Sequence, residues 1–190
     1  TSFNLAITGY QDIIRCDRPT HGGGVAVYVS NNISAKYRRD LDSDALEQIW
    51  LEIHGKQARF LLSINYRSPQ FNATKAYWVA LEDSIVNAKT SGINNILITG
   101  DLNADPRTWH GQKLACLCRT QNLTIHIDEP TRITNTTETI LDQFISNMPE
   151  FIGDPFVEPP VAENDHCTVS ISIQFSLHKE KPYNRLIWLY

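Results

Sequence analysis

Asn95-Ile96-Leu97-Ile98-Thr99-Gly100 reads as a short buried strand closing in a turn, and Asp101-Leu102-Asn103-Ala104-Asp105 follows it at once. An apolar run of this length bounded by glycine suits a strand covered on both faces. Before it, Thr74 to Ser91 spaces Tyr77, Trp78, Leu81, Ile85 and Ala88 at helical intervals, with Gly92 as the stop. Farther back, Gln48 to His54 and Ala58 to Tyr66 flank a turn around Gly55 and read as a hairpin. Pro69 then ends the second strand, because it pushes Ser68 away from helical geometry. After the central strand, a shorter helix of roughly Gln112 to Gln121 turns Leu114, Leu117 and Cys118 inward. Thr139 to Ser146 is a further strand. Cys167 to Phe175 alternates most clearly, with Val169, Ile171, Ile173 and Phe175 on one face. Val25 to Val29, after Gly22-Gly23-Gly24, is apolar on both faces and reads as a strand covered from both sides. Strands on either side of helices predict an α/β or α+β sandwich.

The chain of 190 residues suits one domain with a core that needs no staple. Its net charge of -4 argues against a tight, sequence-neutral DNA binder, which would be basic. Any contact with nucleic acid is then local and transient, as suits an enzyme. Cys116-x-Cys118 has no second pair at zinc spacing and reads as helix packing, and four cysteines with no framework suit a reduced, intracellular compartment. No apolar run reaches membrane-spanning length, so no membrane partner is expected. The glycine run precedes a strand and lacks a following Lys-Ser/Thr, which excludes a phosphate loop.

Three segments place chemistry at strand ends. Asp101 and Asn103, two residues apart, can face one side, the first to accept a proton from water or hold a hard cation, the second to donate to a phosphate oxygen. The bland alternative is an Asx turn. Asp142 interrupts the apolar run Ile140-Leu141-Asp142-Gln143-Phe144-Ile145 and should be buried. Burial of a carboxylate costs several kcal/mol unless it is paired, and a histidine whose tautomer it fixes is the natural partner. A structural ion pair or an exposed edge position is the alternative. Asp165-His166, just before the alternating strand, can supply a metal ligand and a phosphate contact, or be ordinary loop residues. Together these groups meet the needs of phosphodiester hydrolysis. Magnesium suits them, because it takes oxygen ligands and keeps places for water and phosphate.

In order, type and spacing these segments resemble the endonuclease/exonuclease/phosphatase superfamily. Gly100-Asp101-Leu102-Asn103 matches its G-D-x-N motif, Asp142 its late buried Asp, Asn164-Asp165-His166 its final Ser-Asp-His, and Tyr66 its strand-end tyrosine. Finer features resemble the endonuclease domain of non-LTR, LINE-type retrotransposons. These are Gly9-Tyr10, Arg15-x-Asp17-Arg18 before the glycine run, Tyr66-Arg67-Ser68-Pro69, Pro130-Thr131-Arg132 and the tail Pro182-Tyr183-x-Arg185-x-x-Trp188.

The resemblance implies a four-layer α/β/β/α sandwich of two mixed sheets, occupying residues 1–176, with 177–190 starting a linker toward a reverse transcriptase domain. It implies a DNA-nicking endonuclease dependent on Mg2+, or alternatively Mn2+, acting in the nucleus. Its catalytic residues would be Tyr66, Asp101, Asn103, Asp142 and His166. Asp165 and Asp101 would be the metal-side carboxylates, and Arg67, Thr131 and Arg132 would touch DNA. Two departures accompany it. Asn164 stands where serine is usual. The family's early Asn and metal-binding Glu lie upstream of Gly9-Tyr10, outside these residues, and Glu47, Glu52 and Glu82 lie in the wrong places to replace that Glu. The chain is therefore read as a fragment missing the first strand or strands, with impaired activity. The competing readings are an abasic-site endonuclease or small-phosphoester phosphatase of the same superfamily, and a non-catalytic remnant of a decayed element.

Overall fold

The computed structural model describes residues 5–18, 23–56, 58–69, 74–161 and 164–174. In chain order these form β1 (Ile14–Cys16), β2 (Val25–Val27), β3 (Ser34–Tyr37), β4 (Glu47–His54), β5 (Arg59–Tyr66), α1 (Thr74–Thr90), β6 (Asn95–Asp101), α2 (Trp109–Thr120), β7 (Thr124–Ile125), β8 (Arg132–Ile133), β9 (Glu138–Thr139), β10 (Asp142–Ser146), β11 (Phe156–Glu158) and β12 (Thr168–Ser170). One six-stranded sheet, ordered β3-β4-β5-β6-β10-β7, carries the fold. Its pairs are antiparallel except β5 with β6, which are parallel and joined through α1. A parallel pair needs such a crossover, whereas the β4–β5 hairpin closes tightly, with Gly55 N–H donating to Ala58 O at 2.8 Å.

The sheet is buried on both faces, which is why β4, β5 and β6 read as apolar runs. On one face Trp50, Leu61, Ile96, Ile98 and Ile145 pack against Tyr77, Trp78, Leu81, Ile85 and Ala88 of α1 and Leu114, Leu117 and Cys118 of α2. On the other, Ile49, Leu51, Ile53, Phe60, Leu97 and Phe144 pack against residues of the β1–β2 and β11–β12 pairs. The α/β sandwich expected from the sequence is thus present. Its second β layer consists of two separate antiparallel pairs, and among the described residues both α-helices lie on one side of the large sheet. No helix among them is long and apolar enough to cross a membrane.

A polar network crosses the sheet–helix interface. Trp50 Nε1 donates to Ser84 Oγ at 3.0 Å, Ser84 donates to Gln48 Oε1 at 2.8 Å, and Gln48 Nε2 donates to Ser63 Oγ at 3.1 Å and Asn65 Oδ1 at 2.8 Å. Each buried group has a partner, so the network specifies how α1 sits without an orphan penalty.

Several local expectations change. The helix expected from Gln112 starts at Trp109, because the Thr108 hydroxyl caps it by accepting from Gly111 N–H at 3.2 Å. Cys118 is buried as expected, but Cys116 is exposed. Ala26 faces solvent, so the Val25–Val29 run is covered on one side only, and it forms a strand only as far as Val27. The alternating C-terminal run is a strand over Thr168–Ser170 and then touches Ile152 by a single bridge at Ile173. Phe175, the tail, Gly22 and the proposed linker lie outside the described residues. The strand expected over Thr139 to Ser146 is broken at Ile140 and Leu141.

Gly100 marks the end of β6. Its φ is +127°, and a Cβ there would lie 1.9 Å from Asn65 O of the neighbouring strand. Gly100→Ala is therefore expected to destabilise the fold by about 3 kcal/mol or more. At Gly92 (φ +83°) a Cβ meets nothing within 4 Å, and Gly92→Ala should cost only about 1 kcal/mol. Urea midpoints of the two variants measure the difference.

Candidate active site

Four polar side chains share one level of the large sheet. Glu47 on β4 is opposite Tyr66 on β5, Tyr66 opposite Asp101 on β6, and Asp101 opposite Asp142 on β10. Directly opposed residues project from the same face, and strand alternation places them on the face of Ile49, Leu51, Phe60, Leu97 and Phe144. The row lies where that apolar face ends, so a rigid sheet presents polar groups at its rim.

At one end of the row His166 meets Asp142, with His166 Nδ1 donating to Asp142 Oδ2 at 3.0 Å. The histidine partner expected for Asp142 is therefore present. Asp142 is half-buried rather than fully buried. Its approach is set by Thr131, whose Oγ1 accepts from Leu141 N–H and Asp142 N–H, each at 3.0 Å. Thr131 is 0% exposed, and its carbonyl accepts from Cys167 N–H at 2.7 Å, which draws in the chain after His166. The expected DNA contact by Thr131 is thus corrected. Its hydroxyl is consumed in organising Asp142.

Asp101 is the central group. Burial pushes its carboxyl up to about 6. The Asn103 backbone N–H, at 2.9 Å from Oδ1, partly offsets this, while the nearby Asp142 carboxylate adds to the rise. Asn103 takes a left-handed φ of +45° and donates from Nδ2 to Arg67 O at 2.8 Å and to Asp101 Oδ2 at 3.1 Å. This is the Asx-type turn considered from the sequence, here wrapped around a candidate catalytic carboxylate. Arg67 is 3% exposed; its Nε donates to Leu102 O at 2.6 Å and its Nη2 to Asn103 O, and burial holds its pKa below the usual guanidinium range. The expectation that Arg67 touches DNA is corrected as well, since its donors hold the loop that carries Asn103.

Two further expectations separate from the site. Asp165 Oδ2 accepts from Arg132 Nε at 2.8 Å and pairs with Nη2 at 2.6 Å, and the arginine holds its carboxyl below the usual range. It lies outside the group able to share a cation. Among the described residues that group is Asp101, Asp142 and His166, whose ligand atoms all lie within 4.8 Å of one another. Arg132, expected at the DNA, is correspondingly engaged by Asp165, though it stays at the surface. Glu47 shares the row but not the group. It accepts from Arg18 Nε at 2.9 Å and Gly24 N–H at 2.5 Å, and the Arg18 guanidinium lies 5.7 Å from the centre of the Tyr66 ring.

A family model described as the endonuclease/exonuclease/phosphatase family matches residues 2–145. The chain belongs to this family. Among solved structures it is similar to the endonuclease domain of TRAS1, a telomere-specific non-LTR retrotransposon, with a TM-score of 0.73 at 16% identity over 89% of this chain and 82% of that one. It is also similar to a family member from Leptotrichia buccalis, with a TM-score of 0.61 at 16% identity over 90% and 73%. The human Nocturnin catalytic domain gives 0.54 at 15% identity over 86% and 73%. At such identities the likeness speaks for the fold alone. No curated protein matches the chain significantly.

Members of the endonuclease/exonuclease/phosphatase family are hydrolytic enzymes, typically dependent on a divalent metal. The donor set fits such an ion: Asp101 and Asp142 offer hard oxygens in the number magnesium takes from protein. Asp101, which burial leaves poorly compensated, is the carboxylate a cation would favour most.

Sequence reading missed Asp105 beyond its place in the motif. Its carboxylate accepts from Arg107 N–H and Nε, each at 2.9 Å, and from Ile140 N–H at 3.1 Å. Mainly through the Arg107 hydrogen bonds, its pKa is lowered to about 2. A depressed carboxyl stabilises the fold above its unfolded value, near 4, and that contribution is lost as pH falls toward 2. Urea midpoints should therefore drop between about pH 4 and pH 2, and Asp105→Asn should flatten that drop.

Proposed function

We propose that this domain hydrolyses DNA phosphodiester bonds, nicking one strand as the endonuclease of a non-LTR retroelement. The observation that carries the reading is the row Tyr66, Asp101 and Asp142 on three neighbouring strands, with His166 held on Asp142 at 3.0 Å. The Asp142 carboxylate holds Nδ1–H of His166, so that the doubly protonated ring presents Nε2–H to the scissile phosphate as a donor. Tyr66 donates its hydroxyl to a nonbridging oxygen of the same phosphate. Asp101 orients the attacking water and takes its proton. Asn103 and Arg67 keep the Asp101 loop in shape. Asp101 and Asp142 would hold a magnesium ion, which would supply charge stabilisation for the phosphate and the leaving 3'-oxygen.

The retroelement assignment rests on the segments Arg15-x-Asp17-Arg18, Tyr66-Arg67-Ser68-Pro69 and Pro130-Thr131-Arg132, and on similarity to the TRAS1 domain. It carries with it a reverse transcriptase domain as partner and action in the nucleus. Rates on supercoiled plasmid, an abasic-site duplex and p-nitrophenyl phosphate, each with Mg2+, test the substrate class. Plasmid nicking should proceed without any need for an abasic site, and hydrolysis of the small ester should be negligible. A strong preference for the abasic duplex or the small ester would replace this reading with a repair nuclease or a phosphatase.

A further inference from the structure

We propose that Asp105 is a positioning residue for the candidate site, tying the loop of Asp101 and Asn103 to the chain that enters β10, and so fixing Asp142 and His166. The inference rests on the phosphodiesterase reading and deepens it.

The chain leaves strand pairing at Ile140 and Leu141, between β9 and β10. A chain leaving strand pairing exposes N–H groups that must find acceptors. Here side chains provide them. Asp105 Oδ2 accepts from Ile140 N–H at 3.1 Å, and Thr131 Oγ1 accepts from the next two N–H groups at 3.0 Å each. Asp142 is the last of the three, so its backbone is placed by this run of acceptors. The backbone bond from Leu102 N–H to Leu141 O, 2.9 Å, links the same two segments, and Asp105 supplies a side-chain link beside it.

Asp105 is well anchored for the task. Only 4% exposed, its carboxylate has Oδ1 on Arg107 N–H and Nε, and Oδ2 on Arg107 Nη2 at 2.9 Å as well as on Ile140. Its carbonyl accepts from Thr108 N–H at 2.9 Å and from the Thr108 hydroxyl at 2.7 Å, at the cap of α2. Arg107 also donates to Glu138 O, on the far side of the break. The residue is thus fixed to a helix start and reaches across 35 positions to the strand that bears Asp142. An amide in its place has one acceptor oxygen and one NH2 group. It can serve Arg107 or Ile140, and turns a donor toward the other.

The test compares Asp105→Asn with Arg107→Ala, which keeps the Ile140 bond. Asp105→Asn should lower kcat for plasmid nicking about tenfold to a hundredfold with KM within about twofold, since misplacing a group by an ångström has that effect. Amide exchange at Ile140 should speed up, and the His166 Nδ1–H proton resonance should shift or broaden. Arg107→Ala, which leaves the Arg107 N–H and Ile140 N–H bonds to Asp105 in place, should lower kcat by less than about fivefold. If Asp105→Asn does not fold, Asp105→Glu serves: it keeps the charge but displaces the oxygen from Ile140, and the same losses are expected. Unchanged kcat per folded molecule with an unchanged His166 resonance would overturn the proposal, as would equal losses in both variants. If the parent protein does not nick, the phosphodiesterase reading fails on that result alone, while Ile140 exchange and the His166 resonance still decide whether Asp105 positions the pair.

Discussion

His166→Ala is expected to reduce Mg2+-dependent plasmid nicking by about a thousandfold while the domain stays folded. The side chain is partly exposed at the rim of the sheet, where its Nδ1 donates to Asp142. Little packing is therefore lost with it. What is lost is the donor aimed at the phosphate, where negative charge accumulates as the bond breaks. Asp142→Asn tests the other half of the pair. An amide oxygen can still accept from Nδ1, but it neither carries charge nor favours the imidazolium, so a loss of about a hundredfold or more is expected. The double variant should be no worse than His166→Ala by more than about a few fold, because the two residues act as a unit. Single-turnover nicking rates, with circular dichroism as the check on folding, measure all three.

Asp101→Asn should remove activity and raise stability. Burial pushes the Asp101 carboxyl up to about 6, so above that pH the folded protein holds a carboxylate that burial disfavours. With the folded pKa above the unfolded value, near 4, stability falls as pH rises from about 4 to about 6, and the penalty is complete above that window. An amide of the same shape escapes it and keeps an acceptor for Asn103 N–H, while its NH2 turns toward Asn103 Nδ2 and offsets part of the gain. At pH 8 in EDTA the variant should melt about 2–4 °C above the parent, roughly 1 kcal/mol for a chain of this size. In Mg2+ the parent should gain thermal stability and the variant should not, because an ion that binds only the folded state stabilises it. Nicking should fall at least about a hundredfold. A less stable Asp101→Asn would mean that the row is an ordinary structural network.

How much of this was legible in the sequence depends on where each partner lies. The strand and turn of Asn95 to Asp101, the hairpin before them and the apolar stripe of Tyr77, Trp78, Leu81, Ile85 and Ala88 are local patterns, and the fold realises them with small shifts of boundary. The Asp142–His166 pair followed from the cost of burying a carboxylate in an apolar run. The break before Asp142 did not, because its acceptors, Asp105 and Thr131, come from 35 and 10 residues away. Arg67 and Thr131 were expected at the DNA because a polar side chain beside a motif looks the same in sequence whether it faces a ligand or a backbone carbonyl. Asp165 was expected on the metal, yet the Arg132 side chain, brought alongside through a bridge to His166, claims it. The split second layer was equally hidden, since short two-stranded pairs take their positions from the face they cover.

The central claim is that Asp101, Asp142 and His166, beside Tyr66, form a metal-assisted phosphodiesterase site. Its most direct measurement is nicking of supercoiled plasmid by the purified protein, expressed with any coding sequence that adjoins these residues, in Mg2+ and in EDTA, beside His166→Ala. Nicked circles bearing 3'-hydroxyl ends, formed by the parent in Mg2+ only and absent with the variant, are the predicted result. A folded parent that leaves the plasmid intact, or a variant that nicks as fast as the parent, would contradict it.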